Sequence, residues 1–228
     1  MRSIISIILL FVIALGIVVS LDKIPFGESK TRVGKYYIDR GREETGAANI
    51  VTSVVVNYRG FDTLGEVTVL FVAAIGLGAI LATRKEKEKR EIQPASLVLY
   101  TGCRFLFPLI LLFGAYIFIH GHLTPGGGFQ GGAIIASAFL LVYLGCRGRR
   151  ISERGGKTVE SLGGLVFIIV GLVGLALGGH HFLSNFLPKG ELNSLFSAGV
   201  IPIIYIAIGF KVGSELAGVI DNLVEESE

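Results

Sequence analysis

The sequence predicts an all-α, polytopic membrane protein with about six transmembrane helices and a short interfacial or re-entrant segment near residues 46–58. Hydrophobic residues make up 51% of the 228 positions, and only 17% are charged. The mean hydropathy is +0.68, and the charged fraction lies well below the roughly 25% of soluble domains. A net charge of +3 does not indicate a nucleic-acid-binding protein, so we interpret the basic residues as topology signals.

Six apolar runs approach or reach the roughly 20 residues that a helix needs to cross a bilayer. The chain also has 32 glycines, which fit membrane helices that pack closely. The first run has an alternative interpretation as a cleaved signal peptide, because Arg2 precedes an apolar core and small residues follow it. The runs lie at residues 4–21, 63–83, 96–119, 131–146, 159–179 and 197–220.

Basic residues are concentrated between the second and third runs and between the fourth and fifth. The loops at 121–130 and 180–196 contain only one, Lys189. Because basic loops remain on the cytoplasmic side, this pattern predicts a cytoplasmic C-terminus in the cell membrane and an external glycine-rich loop. Residues 22–62 conflict with this scheme, which places them outside although they are also rich in basic residues.

The basic stretch "TRKEKEKREIQP" divides the chain. We expect a two-helix segment at residues 1–83, a basic cytoplasmic linker at 84–94 and a four-helix domain at 95–228. Cys103 and Cys146 are too few for a disulfide framework, and we interpret them as buried packing residues.

The stretch "HGHLTPGGGFQGG" lies between two apolar runs, where backbone groups need partners or water. One interpretation is a tightly packed corner, and the other is a broken helix whose backbone lines an ion or water path. His120 and His122 are candidate proton acceptors, or simply interfacial residues. The residues of the motif are Pro125, Gly126, Gly127, Gly128, Phe129, Gly131 and Gly132.

A second charged group, in "NYRGFDTLGE", begins the second run. Asp62 and Glu66 share a helix face, with Arg59 close by in sequence. The preceding apolar "GAANIVTSVVV" is too short to span, so it should lie along or dip into the membrane and carry these charges inward, which makes them ion-path candidates. The alternative is a capping box that starts at Thr63 and is closed by Glu66.

A third charged group is Lys211 with Glu215, one turn apart near the middle of the sixth run. A lone lysine at that depth costs at least ~2.5–3.5 kcal/mol on insertion scales. The pair is therefore either an ion or proton relay or a lock between helices. Arg104, near Pro108 in the third run, is expected to anchor the helix at the interface.

The sequence "LFGAYIFIHGHLTPGGGFQGGAIIASAFLLVYL", with the later "GFKVG", resembles the B-type component of Mrp-type multisubunit sodium/proton antiporters (MnhB-like) over residues 95–220. The earlier "NIVTSVVVNYRGFDTLGEVTVL" resembles the C-terminal, E-type part of the large A-type antiporter component, over residues 1–83. That part also occurs as a separate small protein in archaeal membrane-bound hydrogenases and sulfane sulfur reductases. Arg59, Asp62 and Glu66 match the family pattern, whereas Asn57 stands where the family often has an aspartate.

This resemblance implies a fused E-type and B-type subunit of a redox-driven complex, since the first run begins almost at Met1 and no antiporter-like helices precede it. The chain would be a non-catalytic part of the ion-translocating module, without a cofactor or metal of its own. Its partners would be C-, D-, F- and G-type membrane subunits and, through them, a redox arm. The alternatives are a purely structural subunit of an Mrp-type antiporter and a haem carrier ligated by His120 or His122 and His180 or His181.

Overall fold

The computed structural model describes residues 2–22, 32–82, 95–146, 152–178 and 181–227. Regular structure in these ranges is entirely helical, which confirms the predicted fold class. The chain divides into two units, residues 1–35 and residues 36–228. The helices are α1 (Arg2–Asp22), α2 (Arg32–Thr45), α3 (Ile50–Thr52), α4 (Gly60–Ala82), α5 (Leu97–Ile119), α6 (Gly128–Gly145), α7 (Glu153–Gly178) and α8 (Ile201–Ser227), and a π-helix, Ser53–Tyr58, continues α3.

Five helices in the described ranges are long and apolar enough to cross a membrane, which makes this a multi-pass membrane protein. The apolar part of α1, Ser6–Asp22, is shorter than these spans and exposed along its length. The predicted linker at 84–94 lies outside the described residues, so the three-segment division stays a prediction. The five spans are Gly60–Leu81, Leu97–Ile119, Gly128–Gly145, Arg154–Leu177 and Ile201–Val224.

The last helix begins four residues later than the sixth apolar run predicts. Ala198 and Gly199 have φ angles of +65° and +58°, which a right-handed helix cannot include. A side chain at Gly199 would also overlap Asn185, whose amide oxygen accepts the N–H of Val200 at 3.2 Å. A turn that is held by Asn185 therefore precedes α8, and regular helix starts only at Ile201.

Helix α8 is the centre of the helix bundle. It packs against α6 and α7 along most of their lengths and against α4 and α5 over shorter stretches. Ile204, Ile208 and Val212 lie at these contacts and are almost completely buried. By contrast, α4 and α5 expose many large apolar side chains, and these faces fit lipid or neighbouring membrane chains.

Glycines permit the close approach of the neighbouring helices to α8. A β-carbon added to Gly128 would lie 2.6 Å from Cβ of Ile208, and one added to Gly132 would lie 2.9 Å from the backbone nitrogen of Gly213. On the other side, one added to Gly163 would lie 2.7 Å from the carbonyl oxygen of Ala207. Atoms of a neighbouring helix thus occupy the space that a side chain would fill at each of these glycines. Membrane helices commonly pack in this way.

The short segment between α2 and α4 is present as predicted, and it is helical. Asn49 caps it, because its side-chain oxygen accepts the N–H of Val51 at 3.1 Å. The π-helix that follows has i→i+5 hydrogen bonds and so more residues per turn than an α-helix. It ends where the Arg59 N–H donates to the Val54 carbonyl at 2.8 Å.

We predict that Gly131→Ala destabilises the protein by about 1–3 kcal/mol, as overpacking usually does. The added β-carbon would lie 2.7 Å from the carbonyl oxygen of Gly114, so α5 and α6 must separate. The measurement is the thermal midpoint of the purified protein. Gly102→Ala on α5 is the matched control, since a β-carbon there meets no atom within 4 Å. Equal midpoints for the two variants would contradict the packing argument.

Candidate functional site

The glycine-rich bend between α5 and α6 has its backbone paired by the short segment before α4. The Asn49 side-chain amide donates to the carbonyls of Gly121 and Thr124, each at 3.0 Å. The Thr52 hydroxyl donates to the same Gly121 carbonyl at 2.7 Å and accepts from the Tyr205 hydroxyl at 2.9 Å. Irregular backbone at a membrane boundary is thus satisfied by protein.

The glycines of the motif are needed for space and for backbone conformation. Gly126 and Gly127 have φ angles of +159° and +153°, a region that is essentially restricted to glycine. A β-carbon on Gly121 would lie 2.7 Å from the ring of Tyr205. Pro125 is exposed, and Phe129 packs partly buried against the core. This geometry favours the packed-corner interpretation of the motif over a backbone-lined path.

The two histidines of the bend lie in different environments. His120 is partly exposed, stacks on Tyr116 with 4.2 Å between ring centroids, and has its Nδ1 3.0 Å from the Tyr116 carbonyl. His122 is completely buried. Burial lowers the pKa of His122 below its usual 6.5, against opposing effects from backbone groups of Ser194 and Leu195. Burial thus favours the neutral form of the His122 imidazole.

Lys211 and Glu215 form a buried ion pair at mid-span, as their spacing predicts. The Lys211 Nζ lies 2.7 Å from the Glu215 Oε2, and the two residues are 8% and 3% exposed. The Lys211 side chain passes close to Gly163 and Gly164 on α7. Its ammonium lies 5.2 Å from the ring centroid of Phe71 on α4, within cation–π range. Three helices therefore meet at this one charge.

Asp62 and Glu66 lie on the exposed side of α4, whereas Lys211 and Glu215 are buried. Asp62 forms an ion pair with Arg59, and both side chains are at least half exposed. Glu66 is exposed as well and has no hydrogen bond or ion pair with the residues that the structure describes. The capping-box alternative is wrong, because α4 already begins at Gly60 and the Thr63 hydroxyl donates to the Val55 carbonyl.

Several other predicted residues are placed on α5 and its surroundings. Arg104 is exposed, and its Nη1 donates to the Tyr100 hydroxyl at 3.2 Å, which fits an interfacial anchor. Cys103 and Cys146 are free, buried and in contact with each other, as expected for packing residues. His181 is exposed, and His180 lies outside the described residues.

Sequence reasoning missed Asn49, Thr52 and Tyr205, which hold the bend in place. It also missed Glu44, whose carboxylate accepts hydrogen bonds from the Tyr36 and Tyr58 hydroxyls. Those bonds lower the pKa of Glu44 below its usual value. An available signal was the run of small polar residues in an otherwise apolar segment, since buried hydroxyl and amide groups need partners.

Two family models match adjoining parts of the chain. Residues 98–218 match the domain related to the MnhB subunit of Na⁺/H⁺ antiporters. Residues 2–95 match the MbhE model, which describes the E-type component of MBH. The two matches meet between residues 95 and 98.

Relatives include antiporter components. An uncharacterized protein of Methanocaldococcus jannaschii is 34% identical, with 72% of each chain covered. The B-type component of the Na⁺/H⁺ antiporter of Alkalihalophilus pseudofirmus is 35% identical over 42% of this chain and 69% of its own length. The A/B-type component of a probable K⁺/H⁺ antiporter of Rhizobium meliloti is 30% identical over 54% of this chain, which spans only 15% of that larger protein.

Two solved complexes contain chains of the same fold. A chain of the membrane-bound sulfane sulfur reductase, an archaeal respiratory membrane complex, is 50% identical, with a TM-score of 0.81 and 98% of each chain covered. A chain of the Mrp complex from Dietzia sp. is 26% identical, with a TM-score of 0.77 over 97% of this chain and 26% of that one. Both chains come from multisubunit membrane complexes.

We predict that Tyr205→Phe destabilises the bend by about 1 kcal/mol, the usual net value of one hydrogen bond. Asn49→Leu should cost more, about 2 kcal/mol, because it removes two side-chain hydrogen bonds, to the Gly121 and Thr124 carbonyls. Thermal midpoints of the assembled complex measure both. Tyr100→Phe is the control for a hydroxyl on the exposed surface, and a loss there as large as at Tyr205 would contradict the prediction.

A second prediction concerns pH. Since burial depresses the pKa of His122, its unfolded form binds a proton more readily than its folded form. Stability should be constant above about pH 6.5 and then decrease on acidification, by at most about 1.4 kcal/mol per pH unit. The thermal midpoint of wild type should therefore fall more steeply with acid than that of His122→Leu. His120→Leu is the control, and identical slopes for wild type and His122→Leu would refute this role.

Proposed function

Because this chain belongs to the family of domains related to the MnhB subunit of Na⁺/H⁺ antiporters, we propose that it is a subunit of the ion-translocating module of a redox-driven respiratory complex. The complex would be of the sulfane sulfur reductase or membrane-bound hydrogenase type, in which this chain helps to move Na⁺ or H⁺. It would perform no redox chemistry itself. Its partners would be the C-, D-, F- and G-type membrane subunits, and through them a redox arm.

The buried pair of Lys211 and Glu215 carries the proposal. Lys211 lies ten residues into the span that starts at Ile201, about 15 Å along the helix axis. That distance is about half of a hydrocarbon core of ~30 Å. Charges at such a depth are costly, and in membrane proteins they commonly mark ion pathways or proton relays. A pair one turn apart on the central helix is a suitable site for charge to be passed on.

Asp62 and Glu66 fit the same function in a different way. They lie on the exposed face of α4, so they would meet a neighbouring chain of the complex rather than the Lys211 pair of this chain. We infer that they contribute to a path at the boundary between two chains. With the orientation given by the basic loops, α8 ends on the cytoplasmic side, and so does the C-terminus.

A purely structural role is the second candidate, and one observation favours it. The charges of Lys211 and Glu215 are already paired, and several glycines of the bend pack closely against neighbouring residues. Under this alternative the pair locks α8 against α7 and α4. Removing one partner of a buried pair generally costs about 3–5 kcal/mol, whereas removing both charges together costs much less. A variant that lacks both charges is therefore expected to assemble, so its transport can be measured without a defect in assembly.

We predict that the double variant Lys211→Gln, Glu215→Gln assembles but transports Na⁺ or H⁺ at least roughly tenfold more slowly, the low end for loss of a proton-transfer group. Paired amides keep a hydrogen bond and a similar volume without the charges. Native gels would measure assembly, and ion flux into vesicles of the whole complex would measure transport. Glu66→Gln tests the second position in the same assay.

Glu191→Gln is the matched control, since Glu191 is exposed in the loop before α8. If the assembled double variant transports as fast as this control, the pair is structural and the proposed function of the site fails. Single variants that fail to assemble while the double variant assembles would reflect an uncompensated buried charge rather than transport.

A further inference from the structure

A cavity of about 420 Å³, lined by both polar and apolar side chains, lies between four helices, directly beside the Lys211–Glu215 pair. Glu215 and Ser214 line its deep end. Ser152 and Asn222 line its opposite end, near the start of α7 and the C-terminal end of α8. From Glu215 to Asn222 is seven residues, or about 10 Å along α8. The cavity therefore extends from the helix ends into the membrane-spanning region.

The lining of the cavity is suited to water. Side chains with oxygen or nitrogen atoms project from both α7 and α8, whereas α4 contributes only Phe71, Ala74 and Ile75. A water molecule needs roughly 10–15 Å³ of such space and two to four polar partners, so the cavity has room for a chain of waters. The titratable residues that line it with Glu215 are Tyr143, Lys157, Glu160 and Asp221.

At the deep end, one carboxylate oxygen is left without a partner. The Oε2 of Glu215 accepts from the Lys211 ammonium at 2.7 Å, but its Oε1 has no hydrogen bond within the described structure. The Glu215 side chain is only 1% exposed. Leaving a buried charged acceptor unpaired costs more free energy than leaving a neutral one unpaired. A proton or a water from the adjoining cavity would satisfy it.

Beyond the pair the bundle is closed in the described residues. Gly163 packs so tightly on α8 that an added β-carbon would lie 2.7 Å from the Ala207 carbonyl and 3.1 Å from the Cβ of Lys211. Phe167, Ile204 and Ile208 follow, and each is at most 1% exposed. Within the described residues, the cavity therefore does not continue past the pair along α8.

The charge of Lys211 selects the ligand. A metal cation at Oε1 would lie within a few ångströms of the ammonium, and like charges about 4 Å apart repel strongly at the effective dielectric of a protein. A proton adds no such repulsion, because it neutralises the carboxylate as it binds. The site therefore fits a proton better than Na⁺.

We propose that this cavity is a half-channel, a water-filled passage open to one side, through which protons reach Glu215 from the side where α8 ends. Hydronium in the cavity gives its proton to Oε1, so the carboxylate becomes a carboxylic acid and one water remains. The reverse transfer restores the carboxylate and its pairing with Lys211. This inference rests on the proposed function, since it names the ligand of the same pair and its side of access.

Thiol accessibility tests the water-filled passage. A side chain at Gly218 fits, since an added β-carbon meets no atom within 4 Å, and Gly218 lines the cavity. In the whole complex, Gly218→Cys should react with a membrane-impermeant methanethiosulfonate ammonium reagent from the cytoplasmic face only. Gly76→Cys, on the exposed face of α4, is the matched control with equal space. We expect roughly tenfold or more faster labelling at Gly218→Cys, because only a hydrated thiol ionises readily.

Unreactive Gly218→Cys from both faces, or reaction from the external face, would overturn the half-channel. Wild type serves as the blank, as its two cysteines are buried. Ion flux measured on the same vesicles keeps the two ideas separate. If the double charge variant loses transport while Gly218→Cys stays unreactive, the proposed function stands and the half-channel fails.

Infrared difference spectra between acidic and alkaline pH test the proton itself. Wild-type complex should show the carbonyl stretch of a protonated carboxyl group that is missing from Glu215→Gln and that shifts in D₂O. Glu191→Gln should retain this band. Identical difference spectra for wild type and Glu215→Gln would show that Glu215 exchanges no proton, and the proposal would be wrong whatever the labelling result.

Discussion

The close contact of α8 with the helices on both sides of it is the constraint on which the rest of the structure depends. Lipid gives helices little hydrophobic reason to associate, so packing contacts must hold the bundle together. Gly132 and Gly163 allow backbone-to-backbone approach from opposite sides. The same approach buries Lys211 and Glu215, which pair with each other beside the adjoining cavity. Tight packing and a buried charge are two results of one arrangement.

Packing also joins the two parts of the chain that separate family models describe. The models meet near residue 95, yet hydrogen bonds cross that boundary from Asn49 and Thr52 to the backbone at Gly121. Tyr205 of α8 completes the set. The bend, the short segment and the central helix form a single polar cluster, so the two parts share one folded unit at this point. In related complexes where they are separate chains, such contacts would lie between those chains.

Much of this arrangement could be predicted from the sequence, and the exceptions have physical reasons. Hydropathy predicted the spans, and helical periodicity predicted the Lys211–Glu215 pair, because both depend on local spacing. The start of α8 was predicted too early, because the left-handed turn at Ala198 depends on a contact with Asn185 across the loop. The partners of the bend were missed for the same reason, since they are distant in sequence. A capping box at Thr63 was one of two interpretations, and it is wrong because α4 already begins at Gly60.

The π-helix at Ser53–Tyr58 and Arg59, the non-helical residue that ends it, connect the short segment to α4. Each residue advances an α-helix by about 100°, so one residue more or fewer at this junction changes which face of α4 points outward. Asp62 and Glu66 follow this wide turn within two to three turns and are directed outward. A lineage that lost one residue here would present a different stripe of α4 to its neighbours, with the two carboxylates facing elsewhere. The number of residues before α4 therefore determines where these carboxylates point, independently of which side chains α4 carries.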